Sequence, residues 1–195
     1  MNTNFARLRP YPVRRIVSNP DIDLNLALGC SLPPMLVELI STAGAPVGFK
    51  SLVRYKPIEP CGSEDKEGYE SMLMFLGPGD GPDSIISFHR WPPQDLPEDL
   101  LPIATTPGGD LICLSRDTGR VLRWSHEMPE DANYDEAVSL VAEDFEAFAE
   151  ALEVDPAGER NIATSEGDAN YGNLTPELIA RIEAIKKRLE EEDAI

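Results

Sequence analysis

Between residues 100 and 127, three short apolar runs follow one another at 101–104, 111–114 and 120–124. They are joined by Thr106-Pro107-Gly108-Gly109 and by Asp117-Thr118-Gly119. Parallel strands need a crossover of about a dozen residues or more, and neither junction is long enough. Glycine and proline at these junctions supply tight turns instead. The three runs are therefore expected as neighbouring antiparallel strands, the heart of whatever the chain folds into.

The flanking segments extend that meander. Residues 49–55 and 72–76 read as strands, and 85–91 as another strand broken by Pro92-Pro93. Residues 56–70 read as a polar loop, and Gly77-Pro78-Gly79-Asp80-Gly81-Pro82 as a forced turn. Met35, Leu36, Leu39, Ile40 and Ala43 share one helical face, which Gly44 ends. Around residues 18–29 local signals conflict. Ser18-Asn19-Pro20 is a good helix start, whereas Ile22, Leu24, Leu26 and Leu28 alternate as a strand does. Val138, Val141, Phe145, Phe148 and Leu152 predict one helix over 137–152. Helices and strands that come in runs rather than in alternation indicate an α+β fold.

This places the main domain at 18–155. Residues 1–17 read as an extended basic arm, because Pro10 and Pro12 block a helix. Residues 156–173, poor in large apolar groups, read as a linker. Thr175 caps a final helix over 174–193, where Leu174, Leu178, Ile182, Ile185 and Leu189 form a narrow stripe. That stripe is expected to dock on its own domain or in a dimer.

Charge narrows the choice of partner. Against 17 Lys plus Arg stand 35 Asp plus Glu, a net charge of −18. Such a field repels nucleic-acid phosphates and anionic membranes and attracts basic proteins. From 127 to 155 there are 11 acids and no Lys or Arg. Cys30, Cys61 and Cys113 are widely spaced and odd in number, which argues against a disulfide framework. The N-terminus lacks an apolar signal-peptide core, and no apolar run approaches the roughly 20 residues that span a bilayer. A cytoplasmic protein is expected.

Trp124-Ser125-His126-Glu127 resembles a catalytic set at first sight. In a strand, however, Ser125 and His126 point to opposite faces, which disfavours a nucleophile–base–orienter chain. A His126/Glu127 acid–base pair near Asp110 is the better chemical reading. The preferred reading is a histidine that ends a strand and hydrogen-bonds a polar corner. His89 and His126 lack metal-ligand spacing, so no catalytic residue, metal or cofactor is expected. Trp91 and Trp124 are candidate partner anchors, with Trp124 the better candidate for the core.

These landmarks together resemble the SUKH superfamily, that of the fungal cell-wall-synthesis regulators and many bacterial toxin-immunity proteins. The resemblance rests on Ala27-Leu28-Gly29 with Leu32-Pro33-Pro34, and on Leu96-Pro97 with residues 100–104. It continues through Gly108-Gly109-Asp110 and Ile112-Cys113-Leu114, then Gly119, Val121, Trp124-Ser125-His126-Glu127, Phe145 and Phe148. Ser115 and Ser125 depart from it, since the family often carries Asp there. The resemblance implies a bent antiparallel sheet with flanking helices and favours a helix at 20–28. It also implies a protein-binding module, not an enzyme, and a basic partner such as a nuclease toxin domain. The expected contact lies beside the Gly109-Asp110 turn and comprises Asp110, Trp124, His126, Glu127, Glu130, Asp131, Asp135 and Glu136.

Overall fold

A computed structural model of the chain describes residues 7–13, 23–127 and 134–156. Residues 157–173 of the expected linker, the helix over 174–193, and Glu130 and Asp131 lie outside those residues, as do residues 1–6 and 14–22 of the N-terminal region. Over the described residues the fold is an 8-stranded antiparallel sheet with helices, an α+β architecture. The strands are β1 (Pro10–Pro12), β2 (Val47–Tyr55), β3 (Glu70–Phe75), β4 (Leu100–Thr105), β5 (Leu111–Ser115), β6 (Val121–Trp124), β7 (Val138–Ala142) and β8 (Glu153–Val154). The helices are α1 (Leu24–Leu28), α2 (Pro34–Ala43), α3 (Ile85–Arg90), α4 (Tyr134–Ala137) and α5 (Phe145–Ala151).

Strands β1 to β7 lie in chain order, each antiparallel to the next. The meander expected at 100–127 is therefore present as β4–β5–β6. Its two turns carry Gly109 and Gly119 at positive φ. The extended N-terminal segment is itself a strand, β1, paired with residues 47–49. Strand β8 pairs Val154 and Glu153 with Val53 and Arg54 further along β2.

Alternation along β5 divides the interior in two. Ile112 and Leu114 face the main core, while Leu111 and Cys113 face a smaller cluster with Leu100 and Trp124. Helices α1, α2 and α5 bury Leu24, Leu28, Leu36, Leu39, Ile40, Phe145 and Phe148 in the main core. There Phe75 packs against Phe49, Phe145 and Phe148 with ring centroids 5.9–6.3 Å apart. Tyr55 meets Phe148 edge to face at 5.5 Å. Aromatic pairs of this geometry add to the stabilisation from buried area.

The segment at 18–29 is helical over its described part. The Asp23 side chain accepts the Leu26 N–H, and Gly29 closes the helix in the left-handed conformation. Arg116 fastens its end by donating to Leu28 O and His89 Nδ1.

Two segments differ from expectation. Residues 85–91 form α3 rather than a strand. Ser84 Oγ accepts the Ser87 N–H as an N-cap, and Arg90 sits in the last turn, where positive charge suits the helix dipole. The single helix predicted over 137–152 is instead the end of α4, then β7, then α5. Val138 and Val141 keep helical spacing with Phe145 and Phe148, yet Val138 pairs with Trp124 across the sheet. Pairing β7 removes an open edge on β6, a gain no local period reveals. Asp144 then starts α5 by accepting the Ala147 N–H.

These assignments have measurable weights. Phe148→Ala is expected to cost about 3–5 kcal/mol, and Asp144→Ala about 1 kcal/mol through the lost cap. Urea unfolding followed by circular dichroism measures both. A single helix over 137–152 would place Asp144 mid-helix and make its replacement by alanine neutral or stabilising.

Candidate functional site

The polar centre of the sheet is Asp110, at the start of β5. The Gly108-Gly109 turn delivers it: Thr106 N–H donates to Asp110 O, and Gly109 N–H donates to Thr106 O. Alternation then puts the Asp110 side chain on the face of Ile112. Arg123 stands opposite Ile112 in the β5–β6 register and shares that face. The two form a buried ion pair, with side chains 5% and 11% exposed for Arg123 and Asp110. Arg123 also donates to Ser63 Oγ at 2.6 Å.

The other carboxylate oxygen of Asp110 holds His126. It accepts the His126 backbone N–H at 3.0 Å and lies 2.8 Å from Nδ1. A carboxylate only accepts, so Nδ1 carries the hydrogen in this contact. The imidazole lies over Gly109, where an added Cβ would sit 3.2 Å from His126 Cε1. Glycine meets two demands at that position, the close ring and a φ of +96°. His126 Nε2 lies 3.9 Å from Glu127 Oε1. Among the described residues no hydrogen bond joins Ser125 to His126; the Ser125 N–H donates to Ala137 O.

The expected contact residues thus separate by environment. Asp110 is a lock inside the sheet. Trp124 is buried with Leu100, Leu111 and Cys113, which is its core reading. His126 is half-exposed, Glu127 is 82% exposed and Glu136 is exposed. Glu130 and Asp131 lie outside the described residues, as does the side chain of Asp135.

Sequence reading missed Arg123, Ser63, Tyr69 and Glu70. Arg123 joins two clefts. One, of about 430 Å³, is lined by Arg54, Tyr69, Glu70, Thr106 and Asp110 among others. The other, of about 460 Å³, is lined by Cys61, Ser125, Glu136 and Ser139 among others. A signal for Arg123 was present: it shares strand parity with Val121 and so falls on the core face. The loop residues 61–70 gave none, because only the fold brings them to β6.

His89, considered above as a metal ligand, accepts from Arg116 on the far side of the meander turn. Partial burial, then the charges of Arg116 and Arg90, hold its pKa below the usual 6.5.

A meander whose polar centre ties two strands and a turn together defines a protein of the α+β sheet class. The chain belongs to the SMI1/KNR4 family (SUKH-1), which it matches over residues 23–151. It is similar to the SPbeta prophage-derived uncharacterized protein YokK of Bacillus subtilis (strain 168), at 31% identity over 106 residues. The match covers 53% of this chain and 53% of that protein, so the chain spans about half the length of this relative. Membership in the family fits an immunity or regulatory role. Among the described residues no helix is long and apolar enough to cross a membrane.

The ion pair and the histidine are separable by mutation. Asp110→Ala leaves Arg123 buried without its partner and is expected to cost about 3–5 kcal/mol. His126→Ala removes one half-exposed contact and is expected to cost about 1 kcal/mol. Chemical denaturation gives both values, and equal costs would contradict the central place of Asp110. For His89 a depressed folded pKa means a contribution present above about pH 6.5 and lost as pH falls below it. NMR titration should place its midpoint below 6.5, and Arg116→Gln should raise it.

Proposed function

We propose that this protein is an immunity-type binding module that acts in the cytoplasm. It would cap the catalytic domain of a basic, co-encoded toxin, stoichiometrically and without turnover. The contact is proposed for the acidic stretch of sequence that carries His126, Glu127, Glu130, Asp131, Asp135 and Glu136, together with Asp110 and Trp124. Of these, Asp110 holds His126 and Trp124 packs in the smaller core cluster.

The observation that carries this reading is the pairing of a rigid base with exposed charge of one sign. Glu127 directly follows the Asp110–His126 lock, and Glu136 lines the cleft beside Arg123 and Ser125. Charges held on a rigid base lose little entropy on binding. Against a nuclease, whose substrate site is basic, such an edge speeds encounter and blocks the site. Family membership adds the protein-binding role.

A second reading, a regulatory scaffold of the same family, draws on Trp91. This side chain is 70% exposed at the end of α3, and exposed tryptophan is favoured as an interface anchor.

Co-expression with the toxin encoded beside it tests the immunity reading: rescue of growth is expected. Association should slow steeply between low and physiological salt, and the double variant Glu127→Lys/Glu136→Lys should slow it further with an unchanged melting temperature. A salt-insensitive association rate would sink the electrostatic contact. Trp91→Ala should leave both rescue and stability unchanged if the acidic edge is the contact. Lost rescue would favour the tryptophan surface.

A further inference from the structure

A set of groups at the polar end of the main core is left unused by the toxin-binding reading. The Cys61 sulfur and carboxylate oxygens of Glu64 and Glu70 all lie within 4.8 Å of one another. Glu70 opens β3 opposite Tyr55 of β2, so both side chains stand on the core face of the sheet. Glu70 is 8% exposed. Its hydrogen-bond partner among the described residues is the Cys61 thiol, 3.4 Å from Oε1. A thiol is a weak donor, and a buried carboxylate held only that way is poorly compensated.

Tyr55 supplies an independent sign. It is fully buried, and its hydroxyl makes no hydrogen bond among the described residues. Tyr55 stands directly opposite Glu70 in the β2–β3 register, with both side chains buried on the same face of the sheet. An under-compensated carboxylate, with the Cys61 thiol against it, and an unpartnered hydroxyl therefore sit on neighbouring residues of one sheet face. Buried polar groups left short of partners call for a ligand, an ion or a water.

We propose that Cys61, Glu64 and Glu70 form a binding site for a divalent transition metal of the zinc type. One thiolate with two carboxylates is a donor set zinc accepts, whereas calcium and magnesium take oxygen alone. Glu64 is positioned for this: its two carboxylate oxygens accept the backbone N–H groups of Cys61 and Gly62. Each oxygen keeps a lone pair for the metal, and the amides fix its orientation, as outer-shell bonds do in metal sites. On binding, the Cys61 S–H bond breaks, a metal–sulfur bond forms and the proton leaves to solvent. The three ligands then carry three negative charges. The nearby positive charge of Arg123 is already matched by Asp110. Three protein ligands leave a fourth tetrahedral position for water.

Cobalt(II) added to the full-length, metal-free chain is the probe. One-to-one uptake is expected, with a thiolate-to-cobalt charge-transfer band in the near ultraviolet and tetrahedral bands in the visible, all displaced by zinc. Cys61→Ser should abolish the charge-transfer band, and Cys30→Ser should retain it. Glu64→Gln should weaken uptake by more than the roughly 10–100-fold that an outer-shell loss costs. Absent uptake by the unmodified chain, or an unchanged band in Cys61→Ser, overturns the site. If circular dichroism shows Cys61→Ser unfolded, Glu64→Gln decides, and an unchanged affinity there overturns it. The outcome is independent of toxin binding, which growth rescue reads separately.

Discussion

Asp110 stands at one end of β5, and much of the polar organisation of the domain runs through its carboxylate. One oxygen neutralises Arg123 inside the core face of β6, and the other holds His126 beyond the end of the same strand. Removing Asp110 would leave a guanidinium in a place water barely reaches. A buried charge of that kind is tolerated only when it is paired. The pair gives little net stability compared with an apolar replacement. It fixes instead which residue of β6 faces which residue of β5, because a one-residue slip would bury neither partner correctly.

From that lock the surface chemistry follows. His126 is held by two contacts to Asp110 and its ring lies over Gly109, so the end of β6 is fixed in place. Glu127 follows directly and is largely in solvent. The acidic stretch therefore starts from a fixed point.

The β4–β5–β6 meander was legible because its signals were local: short runs, tight turns, glycine where φ is positive. The helix α2 was legible for the same reason. Residues 137–152 misled because Val138, Val141, Phe145, Phe148 and Leu152 keep helical spacing while bordering two different elements. The deciding factor was the unpaired edge of β6, which is not a property of that segment. Residues 85–91 misled because Ile85, Ile86 and Phe88 look like a buried strand, whereas the Ser84 cap decides the backbone. At the centre of the site, Asp110 and His126 stood out in the sequence, and Arg123 carried a faint parity signal. Cys61, Glu64 and Glu70 carried none, since a polar loop gives no hint of which strand end it will cover.

Strand β2 has one edge shared by two short strands from opposite ends of the domain. Strand β1 covers residues 47–49, and β8 covers Val53 and Arg54. Arg7, just before β1, also donates to the carbonyls of Glu150 and Leu152, just before β8. The ribosome delivers these two pieces at different times. The first can pair early, but the second half of that edge stays bare until residue 154 has emerged. The domain is therefore fastened like a belt, its two ends laid one after the other along the edge of one strand. Loss of either end would bare its own part of that edge to the next chain.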